Sequence, residues 1–259
     1  MKQLCAILCA LINTSVICSA QETRIIEPAV IEINYRVRHN TDNDLYALRC
    51  GKTVSQYFSL AKLRSDSLRA SPDIAISMIP LYESMEAIKH RDDPSKKLPT
   101  SPGHGDYLYW NLSAGKISVY TSVFGSNYLV EEEMPAMDWE VEEDSVQTII
   151  GYECHKAVTK FRGREWTVWY AEDIPISLGP WKLGGLPGLI LSAVADDDFI
   201  KFTAVSVKTE GINPVTFYNW GNEKYYKMDR EKFLRYKNRP RTVPNANKVL
   251  PAESYIELE

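Results

Sequence analysis

The feature that most constrains this chain is a series of short apolar–polar alternations joined by connections too short to hold a helix. Ile31, Ile33, Tyr35 and Val37 alternate with Glu32, Asn34, Arg36 and Arg38, a period of two that gives a strand one buried and one wet face. The same character flanks four tight connections: residues 45–50 and 53–58 around Gly51-Lys52, 107–112 and 116–123 around Ser113-Ala114-Gly115, 151–161 and 164–171 around Arg162-Gly163, and 189–195 and 199–207 around Asp196-Asp197-Asp198. A further strand is expected over 127–132. Parallel neighbours need a crossover of a dozen or more residues, so connections of two or three select antiparallel pairing. The fold class predicted is α+β and β-rich, a curved, half-barrel-like antiparallel sheet with a few helices packed on one side.

The period changes between residues 59 and 90, where Ile74, Met78, Tyr82 and Met85 recur at helical spacing. Such a stripe is the usual signature of a core-facing helix. Ser71-Pro72 resembles an N-cap followed by a first-turn proline, and Pro80 predicts a break near Ile79. Residues 91–106, with Pro94, Pro99, Pro102, Gly103 and Gly105, read as a loop. Asp229 is placed to cap a short helix carrying Phe233 and Tyr236.

Residues 1–20 read as a secretory signal, with Lys2 ahead of an apolar stretch from Leu4 to Ile12 and Cys18-Ser19-Ala20 before Gln21. Ile17 before Cys18 disfavours a lipoprotein site. The expectation is a periplasmic or secreted protein, cleaved near Ala20/Gln21, whose residues 21–259 form one domain without a further transmembrane segment. Cleavage leaves Cys50 and Cys154 as an even pair in an oxidising compartment. A bridge would close a loop of roughly 100 residues; two separate buried thiols are the other reading. Thirty Lys and Arg against 34 Asp and Glu give a net charge of -4, which excludes the global basic field that a nucleic-acid partner needs.

The most distinctive block is residues 150–191, with Tyr152, Cys154, Lys156 and Ala157, the Arg162-Gly163-Arg164 turn, Trp169-Tyr170, Ile174-Pro175 with Ser177, Gly179-Pro180-Trp181, and the hexapeptide Gly185-Leu186-Pro187-Gly188-Leu189-Ile190. This block resembles the GLPGLI family of secreted proteins typical of Bacteroidota. The resemblance implies an exported envelope protein, often in genomic company with outer-membrane TonB-dependent receptors, and no catalytic mechanism.

Read physically, the hexapeptide region is a constrained crossing between strands. Pro175, Pro180 and Pro187 fix φ, Gly179, Gly184, Gly185 and Gly188 permit tight bends, and Trp181, Leu183, Leu186 and Leu189 supply apolar anchors. No phosphate-cradling loop and no nucleophile elbow is present. His39, His90, His104 and His155 are scattered, and Asp196 to Asp198 lack the remainder of an EF-hand loop, so neither a metal site nor a cofactor is expected. Glu131 to Glu133 and Glu140, Glu142 and Glu143 read as solvated charge. The role expected is that of a non-enzymatic envelope protein binding an apolar ligand or an outer-membrane partner such as a TonB-dependent receptor system. The alternative is a secreted hydrolase using His155 with Asp173 and Ser177.

Overall fold

A computed structural model describes residues 23–39, 42–90, 105–123, 125–196, 198–237 and 256–257. The expected signal, most of the 91–106 loop and His104 lie outside the described residues. Near the start, β1 (Arg24–Glu27) is followed by the hairpin partners β2 (Ile31–His39), β3 (Asp42–Cys50) and β4 (Val54–Ser59). Among the described residues, three helices intervene: α1 (Leu60–Arg69), α2 (Ile74–Ser77) and α3 (Ile79–Lys89). A second group of strands comprises β5 (Tyr107–Asn111), β6 (Lys116–Val123) and β7 (Ser126–Glu133). A third comprises β8 (Glu140–Ile149), β9 (Tyr152–Phe161), β10 (Arg164–Ala171), β11 (Leu189–Ala195) and β12 (Ile200–Lys208). The short β13 (Val215–Phe217), β14 (Tyr226–Met228) and α4 (Arg230–Lys237) follow.

Among the described residues, twelve strands form one sheet in the order β14-β7-β6-β5-β4-β3-β2-β12-β11-β10-β9-β8. All neighbours are antiparallel except β14, which adds to β7 in parallel. The β9–β10 turn places Arg162 at φ 53 and Gly163 at φ 76, the paired positive φ values that let a two-residue turn match the twist of its strands. β1 and β13 pair separately as a two-stranded ribbon.

The sheet is curved, and an ionic cluster shows how far it rolls. Glu132 on β7 accepts from Arg162 at the β9–β10 turn and from Lys182 in the loop after β10, although β7 and β9 lie near opposite ends of the strand order. Glu257 completes the cluster, 3.0 Å from Lys182 and 2.6 Å from Arg230 at the start of α4. Glu132 is thus part of a buried charge network, which corrects its reading as solvated charge.

Strands β3 to β5 are buried on both faces. Leu48, Tyr57, Leu108 and Trp110 enter the large core enclosed by the curved sheet, whereas Ala47, Phe58, Tyr107 and Tyr109 turn to a smaller core shared with Phe217 and Tyr218. This explains why Tyr107 to Trp110 form a continuous apolar run, since a strand covered on both sides has no wet face to alternate with. Ser59 caps α1, its hydroxyl accepting from the Lys62 N–H at 3.0 Å, and thereby sets that helix beside the second core.

The helical expectations need two corrections. Asp73, not Ser71, caps α2, with Pro80 in the first turn of a separate helix. The stripe expected to be core is largely outside, with Ile74 79%, Tyr82 59% and Met85 56% exposed. Helical period defines a face without defining what covers it. Among the described residues, no helix is long and apolar enough to cross a membrane.

Candidate functional site

A cavity of about 460 Å³ opens where α1, β5, β6, the start of β7 and the segment after β13 converge. Its aromatic wall consists of Tyr107, Tyr120, Tyr218, Trp220 and Tyr225, and its acidic groups are Asp66, Asp106 and Glu223. Each follows from local structure. Asp66 lies one turn beyond Lys62 on α1, and the two form an ion pair at 2.7 Å. Tyr107 and Tyr120 face each other across the β5–β6 pair, on the face that carries the smaller core.

The α1 side is a connected polar unit. The Tyr107 hydroxyl donates to Asp66 Oδ2 at 2.9 Å, and Lys62 Nζ stands 5.0 Å from the Tyr107 ring centre. Burial, reinforced by the Asp66 carboxylate, pushes the Tyr107 phenol well above its ordinary range. Tyr225, packed edge-on against Tyr120 with ring centres 4.9 Å apart, is pushed up to about 12 by burial, then by Asp66 and Glu223. Asp66 on α1 and Glu223 on the later segment therefore bear on one phenol, although no motif links them in sequence.

The opposite side is a turn built on Asn219. Its Oδ1 accepts from the Glu223 N–H at 2.8 Å and its Nδ2 donates to the Glu223 carbonyl at 3.0 Å. Its own N–H donates to Thr23 Oγ1 at 2.8 Å. Asn222 takes a positive φ of 50, which asparagine tolerates better than most residues. Asn127 Nδ2 then donates to Glu223 Oε2 at 3.0 Å. A concave site with aromatic walls and a few converging polar groups is the usual form of a small-molecule or sugar subsite. Two carboxylates in such a site can also take and give protons during hydrolysis.

The residues singled out from the sequence lie elsewhere. Gly179, Pro180, Leu186, Gly188, Leu189 and Ile190 are buried, Trp181 is half-buried, and Gly185 and Pro187 are exposed. The loop is pinned by Leu189 N–H to Ile174 O at 3.0 Å, Ile190 N–H to Leu178 O at 3.0 Å and Gly185 N–H to Ser177 O at 3.0 Å. Trp181 stacks on Trp166 with ring centres 5.5 Å apart. A Cβ at Gly188 would lie 2.1 Å from the Ala171 carbonyl oxygen, so glycine is required by close approach.

His155 lies half-buried on β9 with its ring 6.0 Å from that of Tyr170, while Asp173 and Ser177 are exposed in the loop after β10. No hydrogen bond joins His155, Asp173 and Ser177 among the described residues. Cys50 and Cys154 are buried free thiols, so the bridge kept open in the sequence is absent. They sit on β3 and β9, five steps apart in the sheet order. Among the described residues, no group of three or more His, Cys, Asp or Glu is arranged to hold a metal ion.

These features define a curved antiparallel β protein with an aromatic, carboxylate-bearing cavity. Residues 131–236, less than half of the chain, match the family model described as N-glycanase peptide, N-terminal domain. Among solved structures, PNGF-II in its P21 crystal form gives a TM-score of 0.50 at 17% identity, covering 84% of this chain and 33% of that one. PNGF-II in its C2 form gives 0.47 at 16% identity, covering 78% and 31%. The chain thus spans about a third of the length of the solved structures that it matches. No curated protein matches it.

Two expectations are corrected by these similarities. The resemblance to the GLPGLI family is overturned: residues 131–236 match the N-glycanase N-terminal model instead. Within the 150–191 block that suggested it, Leu186, Gly188, Leu189 and Ile190 are buried, so much of the motif answers to packing, which unrelated chains can share. The expected non-enzymatic protein, binding an apolar ligand or a TonB-dependent receptor system, also gives way, because residues 131–236 match a family model whose description is that of an N-glycanase domain.

Proposed function

We propose that this chain works as a glycan-cleaving hydrolase of the N-glycanase kind, with the cavity between α1 and the Asn219–Glu223 turn as its glycan site. The observation that carries this reading is the convergence of Asp66 and Glu223 on an aromatic-walled cavity of about 460 Å³, one wall of which belongs to the stretch matching the N-glycanase family. Hydrolysis needs one group to take a proton from water and another to supply one to the leaving group. Asp66, held by Lys62 and Tyr107, and Glu223, held by Asn127, are assigned these two tasks. Aromatic rings supply flat faces against which the C–H face of a sugar packs.

The test is incubation of the full chain with a denatured N-glycosylated protein, followed by mass spectrometry of protein and supernatant. Release of glycan with a matching loss of protein mass is expected. Glycoprotein left intact under conditions in which the chain is folded would overturn the reading.

A further inference from the structure

Trp220 lies almost parallel to Tyr218, with ring centres 5.7 Å apart and planes at 13°. The indole is nevertheless 39% exposed and lines the cavity. One face is therefore covered by Tyr218 while the other is open. An exposed tryptophan on a loose loop would say little, but this one is held from behind. The Tyr218 hydroxyl accepts from Arg49 Nη1 at 2.8 Å, and its N–H donates to the Tyr109 hydroxyl at 3.1 Å. Arg49 is fixed in turn by Glu32 at 2.5 Å.

The turn that carries Trp220 also presents Glu223, which Asn219 holds by its backbone and Asn127 by Oε2. Its Oε1 has no protein hydrogen-bond partner among the described residues. The turn thus offers a rigid ring face with a carboxylate and an amide beside it. A pyranose matches this pairing. One side of the sugar ring presents polarised C–H groups suited to the negative face of an indole, and its edge presents hydroxyls suited to a carboxylate acceptor. An anionic sugar would meet Glu223 as a like charge, so a neutral ring is favoured.

We propose that Trp220 and Glu223 form a subsite for one neutral pyranose ring, a hexose or N-acetylhexosamine, with the sugar stacked on the open indole face and its hydroxyls on Glu223 and Asn127. This assignment rests on the glycan-cleaving reading and specifies which residues hold the sugar. Trp220 is a binding residue, and Tyr218, Arg49 and Glu32 position it.

Isothermal titration of the full chain with N,N′,N″-triacetylchitotriose and with mannotriose tests the subsite. At least one should bind the wild type, with a loss of tenfold or more in Trp220→Ala, a change within threefold in Trp220→Phe and a clear loss in Glu223→Gln. Thermal midpoints of the variants report that each is folded. Binding by Trp220→Ala as tight as that of the wild type overturns the subsite, and so does the absence of binding by the wild type to both sugars. Glycan release measured in parallel separates the two proposals. Release without Trp220-dependent binding leaves the hydrolase reading and removes the subsite. Trp220-dependent binding without release keeps the subsite and removes the hydrolase reading.

Discussion

Arg49 donates to the Tyr218 hydroxyl at 2.8 Å, and so the wall of the cavity rests on a buried charge whose counter-ion, Glu32, belongs to the neighbouring strand. Both members of that pair are buried. Removing one partner leaves an uncompensated charge in a site largely shielded from water, and breaking such a pair costs about 3–5 kcal/mol. Arg49→Met should therefore lower stability by about that amount in urea denaturation. Arg49→Met combined with Glu32→Leu should recover much of it, because the desolvation penalty is removed together with the attraction. Equal loss in the single and double variants would contradict this account.

The loop carrying the hexapeptide should respond as packing. Leu186 and Leu189 are buried, and truncation of either to Ala should cost about 2–5 kcal/mol. Gly188→Ala forces a Cβ to within 2.1 Å of the Ala171 carbonyl oxygen, an overpacking that costs about 1–3 kcal/mol or more. Chemical denaturation midpoints measure all three, and wild-type midpoints would remove the loop's packing role.

Much of the sheet was legible in the residues, because alternation and turn chemistry act over a few positions. Ile31 to Arg38, Gly51-Lys52 and Arg162-Gly163 mark their strands and turns wherever the rest of the chain goes. β8 was missed because Glu140, Glu142 and Glu143 read as solvated charge; it is an edge strand exposed along nearly all its length. The helical stripe through Ile74, Tyr82 and Met85 was misjudged because its partner surface cannot be read from its own period. The cavity was not legible at all. Asp66, Tyr107, Asn127 and Glu223 come from four segments that meet only through the sheet order and the β1–β13 ribbon, and none lies in a recognisable motif. The one local signal was the aromatic density of residues 217–226, which by itself reads equally well as core.

The two thiols should be chemically quiet. Burial pushes Cys50 up to about 12 and Cys154 up to about 11, so the thiolate that reacts with disulfide reagents is scarce at neutral pH. Native protein should label with such a reagent at least about 100-fold more slowly than protein unfolded in guanidinium, where both thiols regain ordinary acidity. Label on both Cys50 and Cys154, located by peptide mapping, is expected on unfolding without reductant. No label without reductant would reveal a bridge and contradict the structure.

Glu257 gives the acid side of the stability profile a definite sign. Burial alone would raise its pKa, but Lys182 and Arg230 outweigh burial and hold the carboxyl below its ordinary range. A carboxyl with a lowered native pKa adds stability that is fully present above its unfolded value of about 4.3 and is lost as pH falls through the native value. Glu257→Gln should therefore be less stable than the wild type at neutral pH, with a shallower decline in urea midpoint below about pH 4.5. Parallel acid limbs in the two proteins would remove Glu257 from this role.

The central claim is that glycan cleavage takes place in the cavity between α1 and the Asn219–Glu223 turn, and the most direct measurement is the rate of glycan release by Asp66→Asn, Glu223→Gln and His155→Ala beside the wild type. Loss of a positioned acid or base costs about 10²–10⁴ in rate, so Asp66→Asn and Glu223→Gln should each fall by at least about 100-fold while remaining folded. His155→Ala, at a residue that does not line the cavity, should release glycan at the wild-type rate. Full activity in both carboxylate variants with loss in His155→Ala would contradict the account and move the chemistry to the β9–β10 side of the sheet.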